Sequence, residues 1–317
     1  MSLLSILLMS CSACTSCASL PIDNNNSDTD TDDNEDTGED TGDTGRDTAP
    51  PPPCPVMEEE DNGDFNNAMP VPMETWICGT FDQQSDLDAY LFSMPQDGWI
   101  KLWVRGQDLG SNSDLLVSMT IDNETALSTV SYGSTDPLMV VPVDEAADVY
   151  AVVQEQYNGH GENHFYEALF SEVKPPVEYN AVEDESETDN NGYSRGTPIA
   201  DGDRILGRIE SNLDRDWYSL AIPPGLHSIE VQIDAFMYGS PIDPIIYLYP
   251  SVPQDDDDYL RVRNNSSPNN LDPKLTYTLD GGDEGATFNL QIRSFTGTGS
   301  WYYWYVMDVS VEATETE

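Results

Sequence analysis

The chain reads as all-β: two tandem antiparallel β-sandwich domains, residues 54–174 and 182–312, behind a disordered acidic tether. Strand alternation is the first sign. Trp99, Lys101 and Trp103 alternate with Ile100, Leu102 and Val104; Ile229, Val231 and Ile233 alternate with Glu230, Gln232 and Asp234; Phe288, Leu290 and Ile292 alternate with Asn289, Gln291 and Arg293. Successive side chains of a strand point to opposite faces, so period two means a half-buried strand. Turn residues separate these runs at Pro95 to Gly98, Pro223-Pro224-Gly225, Gly281-Gly282 and Gly297-Thr298-Gly299, and no long stretch carries helical periodicity. The third sign is an internal repeat. At a shift of 128 positions, Asp61-Asn62 falls on Asp189-Asn190, Pro70-Val71 on Pro198-Ile199, and Ile77 and Gly79 on Ile205 and Gly207. Asp86, Asp88 and Tyr90 fall on Asp214, Asp216 and Tyr218 with no gap. That is two copies of one module, and roughly 120 residues per copy suffice for one core each.

The elements before the first copy are an address and a spacer. Leu3 to Met9 is an apolar run too short to span a bilayer, and it ends in Leu8-Met9-Ser10-Cys11. This resembles a bacterial lipoprotein signal peptide, residues 1–10, with its lipobox. The resemblance implies cleavage before Cys11 and lipidation of Cys11. It departs from the pattern in having no Lys or Arg before the apolar run. Cys11, Cys14 and Cys17 have iron–sulfur-like spacing but no fourth ligand follows, so Cys14 and Cys17 read as tether residues. Residues 11–53 are rich in Asp, Thr, Asn and Gly and close on Pro50 to Pro53. With almost nothing apolar to bury, such a segment does not offset its ordering entropy. Asp28, Asp30 and Asp32 alternate but lack the frame of an EF-hand loop. Residues 175–181 link the copies and 313–317 form a tail.

Charge removes whole classes of function. Asp plus Glu number 59 against 12 Lys plus Arg, for a net charge of −47. Binding through nucleic-acid phosphates is driven by clustered Lys and Arg, so no nucleic-acid partner is expected. A polybasic membrane surface is equally absent.

Within the copies, Asp86-Leu87-Asp88-Ala89-Tyr90 and Asp214-Arg215-Asp216-Trp217-Tyr218 follow an acidic stretch that runs into Asp-Asn and then a Gly. An apolar run follows Asp114 and Asp243 in turn, and an aromatic strand closes the module. This pattern resembles the bacterial pre-peptidase C-terminal domain family, which includes the collagen-binding domains of secreted collagenases. The resemblance implies a jelly-roll-like sandwich and a non-catalytic accessory module on an exported protein. It also implies calcium bound between the acidic stretch and the aspartates before the tyrosine strand. Carried over by position, the ligand set is Glu58, Glu60, Asn62, Asp86 and Asp88 in the first copy. In the second it is Glu185, Glu187, Asp189, Asn190, Asp214 and Asp216. Calcium takes six to eight oxygens in irregular geometry. Gly63, Ser85 and Leu213 depart from the family pattern and remove ligands. The alternative is that Asp86 and Asp214 cap turns, while Asp88 and Asp216 accept local hydrogen bonds.

A few other residues bear on chemistry. His160 and His164 flank Glu162 at the wrong offset for a zinc-hydrolase helix, between loop glycines Gly159 and Gly161. There is no G-x-S-x-G elbow, and the third histidine, His227, has no matched partner. The chain is therefore expected not to be an enzyme. Cys54 and Cys78 are the two cysteines of the folded part, and export favours their pairing, worth about 3 kcal/mol in the chain-entropy model. The alternative is two free thiols. Along the last strand Tyr305, Met307 and Val309 share the inward parity, so Tyr302 and Trp304 are expected to face solvent or a partner, or to pack on the neighbouring domain.

The reading is a monomeric lipoprotein of the bacterial cell envelope, held to a membrane by its lipid and facing the periplasm or exterior. Its two modules would serve adhesion or the binding of an extracellular protein or polysaccharide, with calcium as a stabilising ion. The alternative is an accessory module that assists a separate secreted peptidase.

Overall fold

The computed structural model describes residues 54–128, 134–183, 190, 192–225, 227–250, 253, 257–267, 270–279, 285–300 and 302–314. The expected signal peptide, Cys11 and the tether to residue 53 lie outside the described residues.

Among the described residues each copy contributes ten strands. In the first these are β1 (Val56–Met57), β2 (Met69–Pro70), β3 (Trp76–Thr80), β4 (Leu87–Met94), β5 (Gly98–Arg105), β6 (Leu115–Ile121), β7 (Glu124–Ser128), β8 (Leu138–Val143), β9 (Ala147–Glu155) and β10 (Phe165–Val173). In the second they are β11 (Ala181–Val182), β12 (Thr197–Ile199), β13 (Arg204–Arg208), β14 (Asp216–Ala221), β15 (His227–Asp234), β16 (Pro244–Tyr249), β17 (Arg261–Arg263), β18 (Lys274–Thr278), β19 (Thr287–Ser294) and β20 (Trp304–Ala313). Among the described residues, helix is confined to three-residue 3-10 turns, at Gln107–Leu109, Tyr193–Arg195 and Phe236–Tyr238.

The first copy pairs its strands in the orders β1-β3-β10-β5-β8 and β2-β4-β9-β6-β7. The second repeats both orders as β11-β13-β20-β15-β18 and β12-β14-β19-β16-β17. Pairing is antiparallel except where the short entering strands lie parallel to a neighbour: β1 on β3, β2 on β4, β11 on β13 and β12 on β14. The alternation in the sequence becomes burial. Ile100, Leu102 and Val104 face the first core, whereas Ile229, Val231 and Ile233 face the second. Side chains from both sheets of each sandwich fill its core.

A third apolar cluster joins the two copies. Trp99 and Val140 on the outer face of the first sandwich meet Leu206, Trp304 and Val306 on the outer face of the second, with Val177 of the linker between them. The rings of Trp99 and Trp304 meet edge to face at 5.1 Å. Arg208 places both terminal nitrogens on Asp144 across the seam, at 2.8 and 2.9 Å. Gly239 sits against Val140 and Leu138, and its carbonyl accepts the Val140 N–H at 2.7 Å. Its φ is +91°, and a Cβ at this position would stand 3.0 Å from the Val140 side chain, so another residue has little room there.

Candidate functional site

The matched acidic and tyrosine positions converge inside each sandwich. In the first copy, Glu58 follows β1, Asp88 and Tyr90 lie on β4, and Tyr166 lies on β10 of the opposite sheet. The Tyr166 hydroxyl donates to Asp88 Oδ2 at 2.7 Å and lies 3.2 Å from Glu58 Oε2. The hydroxyls of Tyr90 and Tyr166 are 2.5 Å apart. Glu58 also takes the Thr80 N–H at 2.5 Å and the Thr80 hydroxyl at 3.1 Å. The second copy rebuilds the same box. Tyr305 donates to Asp216 Oδ2 at 2.6 Å, Tyr218 donates to Glu183 Oε1 at 2.8 Å, and the two hydroxyls are 2.6 Å apart.

The glycines matched in the sequence are explained by this box. A Cβ on Gly79 would stand 2.2 Å from Tyr166 Cζ, and one on Gly207 would stand 2.5 Å from Tyr305 Cζ. Each tyrosine ring lies across the strand where only glycine leaves space. The Asp-Asn motif also has a backbone task. The Asn62 carbonyl accepts the Ala89 N–H at 3.1 Å, and the Asn190 carbonyl accepts the Trp217 N–H at 3.2 Å.

The box is electrostatically loaded. Burial, and then the charge of Glu58, push the Asp88 carboxyl up to about 9. Glu58 is likewise raised, chiefly by burial. Burial holds Tyr90, Tyr166, Tyr218 and Tyr305 well above the usual phenol value, so all four remain hydrogen-bond donors at neutral pH. Asp88 Oδ1 and Asn62 Nδ2 are buried without a partner. A buried and a half-buried carboxyl without a basic partner in their contact set call for a proton or a cation between them. Among the described residues, no group of three or more His, Cys, Asp or Glu side chains is arranged to hold a metal.

The predicted ligand residues divide. Glu58, Asn62 and Asp88 come together at the first box, while Glu60 is exposed beside it, with its carboxyl raised by partial burial and by Asp86 and Asp82. Asp86 caps its own turn, accepting the Asp82 N–H at 2.8 Å. Asp214 does the same for the Glu210 and Arg215 N–H groups, each at 2.8 Å. Asn190 and Asp216 reach the second box, whereas Glu185, Glu187 and Asp189 lie outside the described residues. The carboxylate that matches Glu58 is Glu183, which the repeat in the sequence does not reveal. The signal was the register of the entering strand: β11 stands 125 positions after β1, not 128.

Cys54 and Cys78 are joined by a disulfide that pins the chain ahead of β1 to β3. Its counterpart position in the second copy, Leu206, packs in the seam instead. In the histidine loop, Gly161 donates to the Phe81 carbonyl at 2.8 Å and the His164 ring lies against Gly159.

Tyr302 and Trp304 do not form an exposed binding surface. Tyr302 is 1% and Trp304 0% exposed. Trp304 does point outward from its own sandwich, as its parity requires, but the first sandwich covers that face. Its indole N–H donates to the Val140 carbonyl at 2.7 Å, and Tyr302 enters the first core, donating to the Ile121 carbonyl at 2.6 Å. Buried Trp and Tyr need a partner for their polar tip, and the neighbouring domain supplies one.

No protein-family model matches the chain, and no curated protein matches it. Among solved structures, the chain is similar to the pre-peptidase C-terminal domain of a Bacillus anthracis collagenase at 14% identity and a TM-score of 0.27, covering 37% of this chain and 94% of that one. It is also similar to the tandem CBM51 modules of a family 98 glycoside hydrolase from Streptococcus pneumoniae, at 10% identity and a TM-score of 0.24 over 77% of this chain and 85% of that one. A secreted serine protease, VesC of Vibrio cholerae, matches at 10% identity and a TM-score of 0.25 over 75% and 50%. At scores below 0.5 these likenesses assign neither family nor function.

Proposed function

We propose that this chain is an exported, lipid-anchored protein of the bacterial cell envelope whose two sandwiches are non-catalytic modules for binding a ligand or partner outside the cell. The observation that carries the reading is the Cys54–Cys78 disulfide at the root of the folded part. Structural disulfides belong to oxidising compartments, and this one follows an acidic spacer that begins at the lipobox-like Cys11. The spacer gives reach from a membrane, and the seam makes the two modules one body at its end. The accessory reading, in which the body assists a secreted peptidase, draws on the pre-peptidase resemblance of Asp86 to Tyr90 and Asp214 to Tyr218.

Labelling with a fatty-acid probe tests the anchor: the wild type takes label and Cys11→Ser does not. Label on Cys11→Ser, or none on the wild type, overturns it. Retention of cell-envelope extract on the immobilised chain tests the binding role, and an empty eluate contradicts it.

Calcium belongs to the same proposal. Glu58, Glu60, Asn62 and Asp88 would hold it in the first copy, where the partnerless Asp88 oxygen and the raised carboxyls fit a cation. Bound there, the ion would neutralise the carboxyl pair. Isothermal titration reads heat at millimolar calcium with the wild type and none with Asp88→Asn; a silent wild type ends the calcium reading.

A further inference from the structure

The second sandwich carries, on the outer face of β14-β19-β16-β17, an aromatic and cationic surface that the matched positions of the first sandwich do not repeat. One cross-strand row runs Trp217, Gln291, Tyr247, Val262. The Arg293 guanidinium lies 4.3 Å from the Tyr247 ring centre and also donates to the Tyr247 hydroxyl. Gln291, between Trp217 and Tyr247, is fully buried, yet neither its amide nitrogen nor its amide oxygen has a partner. Past Arg293 the chain turns at Phe295 and Gly297. There a hollow of ≈ 180 Å³ opens, walled by Leu213, Arg215, Arg293, Phe295, Thr296 and Thr298.

The apolar walls of this hollow face water. Leu213 is 76% and Phe295 59% exposed, and Leu213 is held at φ +69°. A bulky residue in the left-handed region is strained, and here packing returns little for it. The first copy shows that the fold does not require this surface. At the matched positions it has Ala89 for Trp217, Val152 for Gln291, Ser118 for Tyr247, Gln154 for Arg293 and Gln156 for Phe295. In place of Leu213 it has Ser85, which keeps the positive φ but bonds Asn158 across the turn at 3.1 Å.

We propose that this hollow binds a neutral sugar residue of an extracellular polysaccharide, with the ring's C–H face on Phe295 and Leu213 and its hydroxyls on the Arg215, Arg293 and Thr296 side chains. The proposal deepens the binding-module reading and rests on it. Size favours one sugar ring, because the hollow is smaller than the roughly 300–1,000 Å³ that hold drug-sized ligands. A protein partner would need about 800 Å² of matched surface. Chemistry favours a ligand that is apolar on one face and rich in hydroxyls at its edge, since exposed rings take the first and guanidinium forks the second. A polyanion is disfavoured by the chain's net charge of −47.

Affinity electrophoresis of the full-length chain through gels holding laminarin, xylan, galactomannan, polygalacturonate or gelatin tests it. At least one neutral polysaccharide should retard the wild type. Phe295→Gln and Arg293→Gln, which install the first copy's residues, should each weaken that retardation about tenfold, or about 1.4 kcal/mol. Tyr157→Ala, on the matching turn of the first copy, should leave it unchanged, and unaltered melting of the variants shows that they fold. Retardation by no neutral polysaccharide, or by polygalacturonate or gelatin alone, overturns the proposal, as does equal retardation of the variants. Envelope capture that survives Phe295→Gln and Arg293→Gln would sink the sugar site while leaving the broader binding reading intact.

Discussion

The two sandwiches keep one frame and spend their outer faces differently. Both hold the carboxyl–tyrosine box, both roll a tyrosine over a strand glycine, and both close the loop after the fifth strand with a buried aspartate. Asp136 takes the Gln107 and Asp108 N–H groups at 2.9 and 3.0 Å. Asp272 takes those of Ala235, Phe236 and Met237 at 2.7 to 3.1 Å. Outside this frame they part. Cys78 makes a disulfide where Leu206 makes a domain contact, and an Ala–Val–Ser row on the first copy is a Trp–Gln–Tyr row on the second. What is repeated is the interior needed to fold, and what differs is each copy's surface.

The seam is the largest difference to break. Trp304→Ala removes a fully buried indole and its hydrogen bond to Val140, and is expected to lower stability by about 3–5 kcal/mol, read by denaturant unfolding. A loss below about 1 kcal/mol would mean that the domains do not depend on each other. The disulfide ranks next. Cys54→Ser with Cys78→Ser should lower the stability of the fused body by about 3 kcal/mol, read by denaturant unfolding.

The box gives a pH-dependent effect. The folded-state carboxyl of Asp88 lies near 9, above the ordinary value of 3.8. Between those values the folded chain holds a proton that the unfolded chain has released. Its contribution is therefore complete below pH 4 and is lost progressively as pH rises toward 9. Asp88→Asn should flatten that decline in midpoints measured from pH 5 to 9, and an unchanged slope would remove Asp88 as its source. The smallest expected effect is at Tyr90→Phe, which deletes one hydroxyl of the pair with Tyr166, for about 1 kcal/mol by thermal melting.

Much of the frame was legible in the sequence because it is local. Asp86, Asp88 and Tyr90 and their counterparts keep one spacing, since turn and strand lie in one short stretch. Tyr166 and Tyr305 escaped because they stand 139 positions apart, after loops of unequal length have shifted the register. Glu183 escaped for the same reason near the start of the copy. Strand parity gave Trp304 its outward direction but not what covers it, because the covering surface comes from residues 99 and 140, far away in the chain. The Trp217–Gln291–Tyr247 row joins three strands, and no single run of sequence contains it.

Calorimetry tests most directly the claim that two copies of one module have been fused into a single body through side chains that a lone copy would expose. The wild type should melt in one transition whose calorimetric and van't Hoff enthalpies agree, and Trp99→Ala with Trp304→Ala should split it into two. Two separate transitions in the wild type, or one unsplit transition in the double variant, would contradict it.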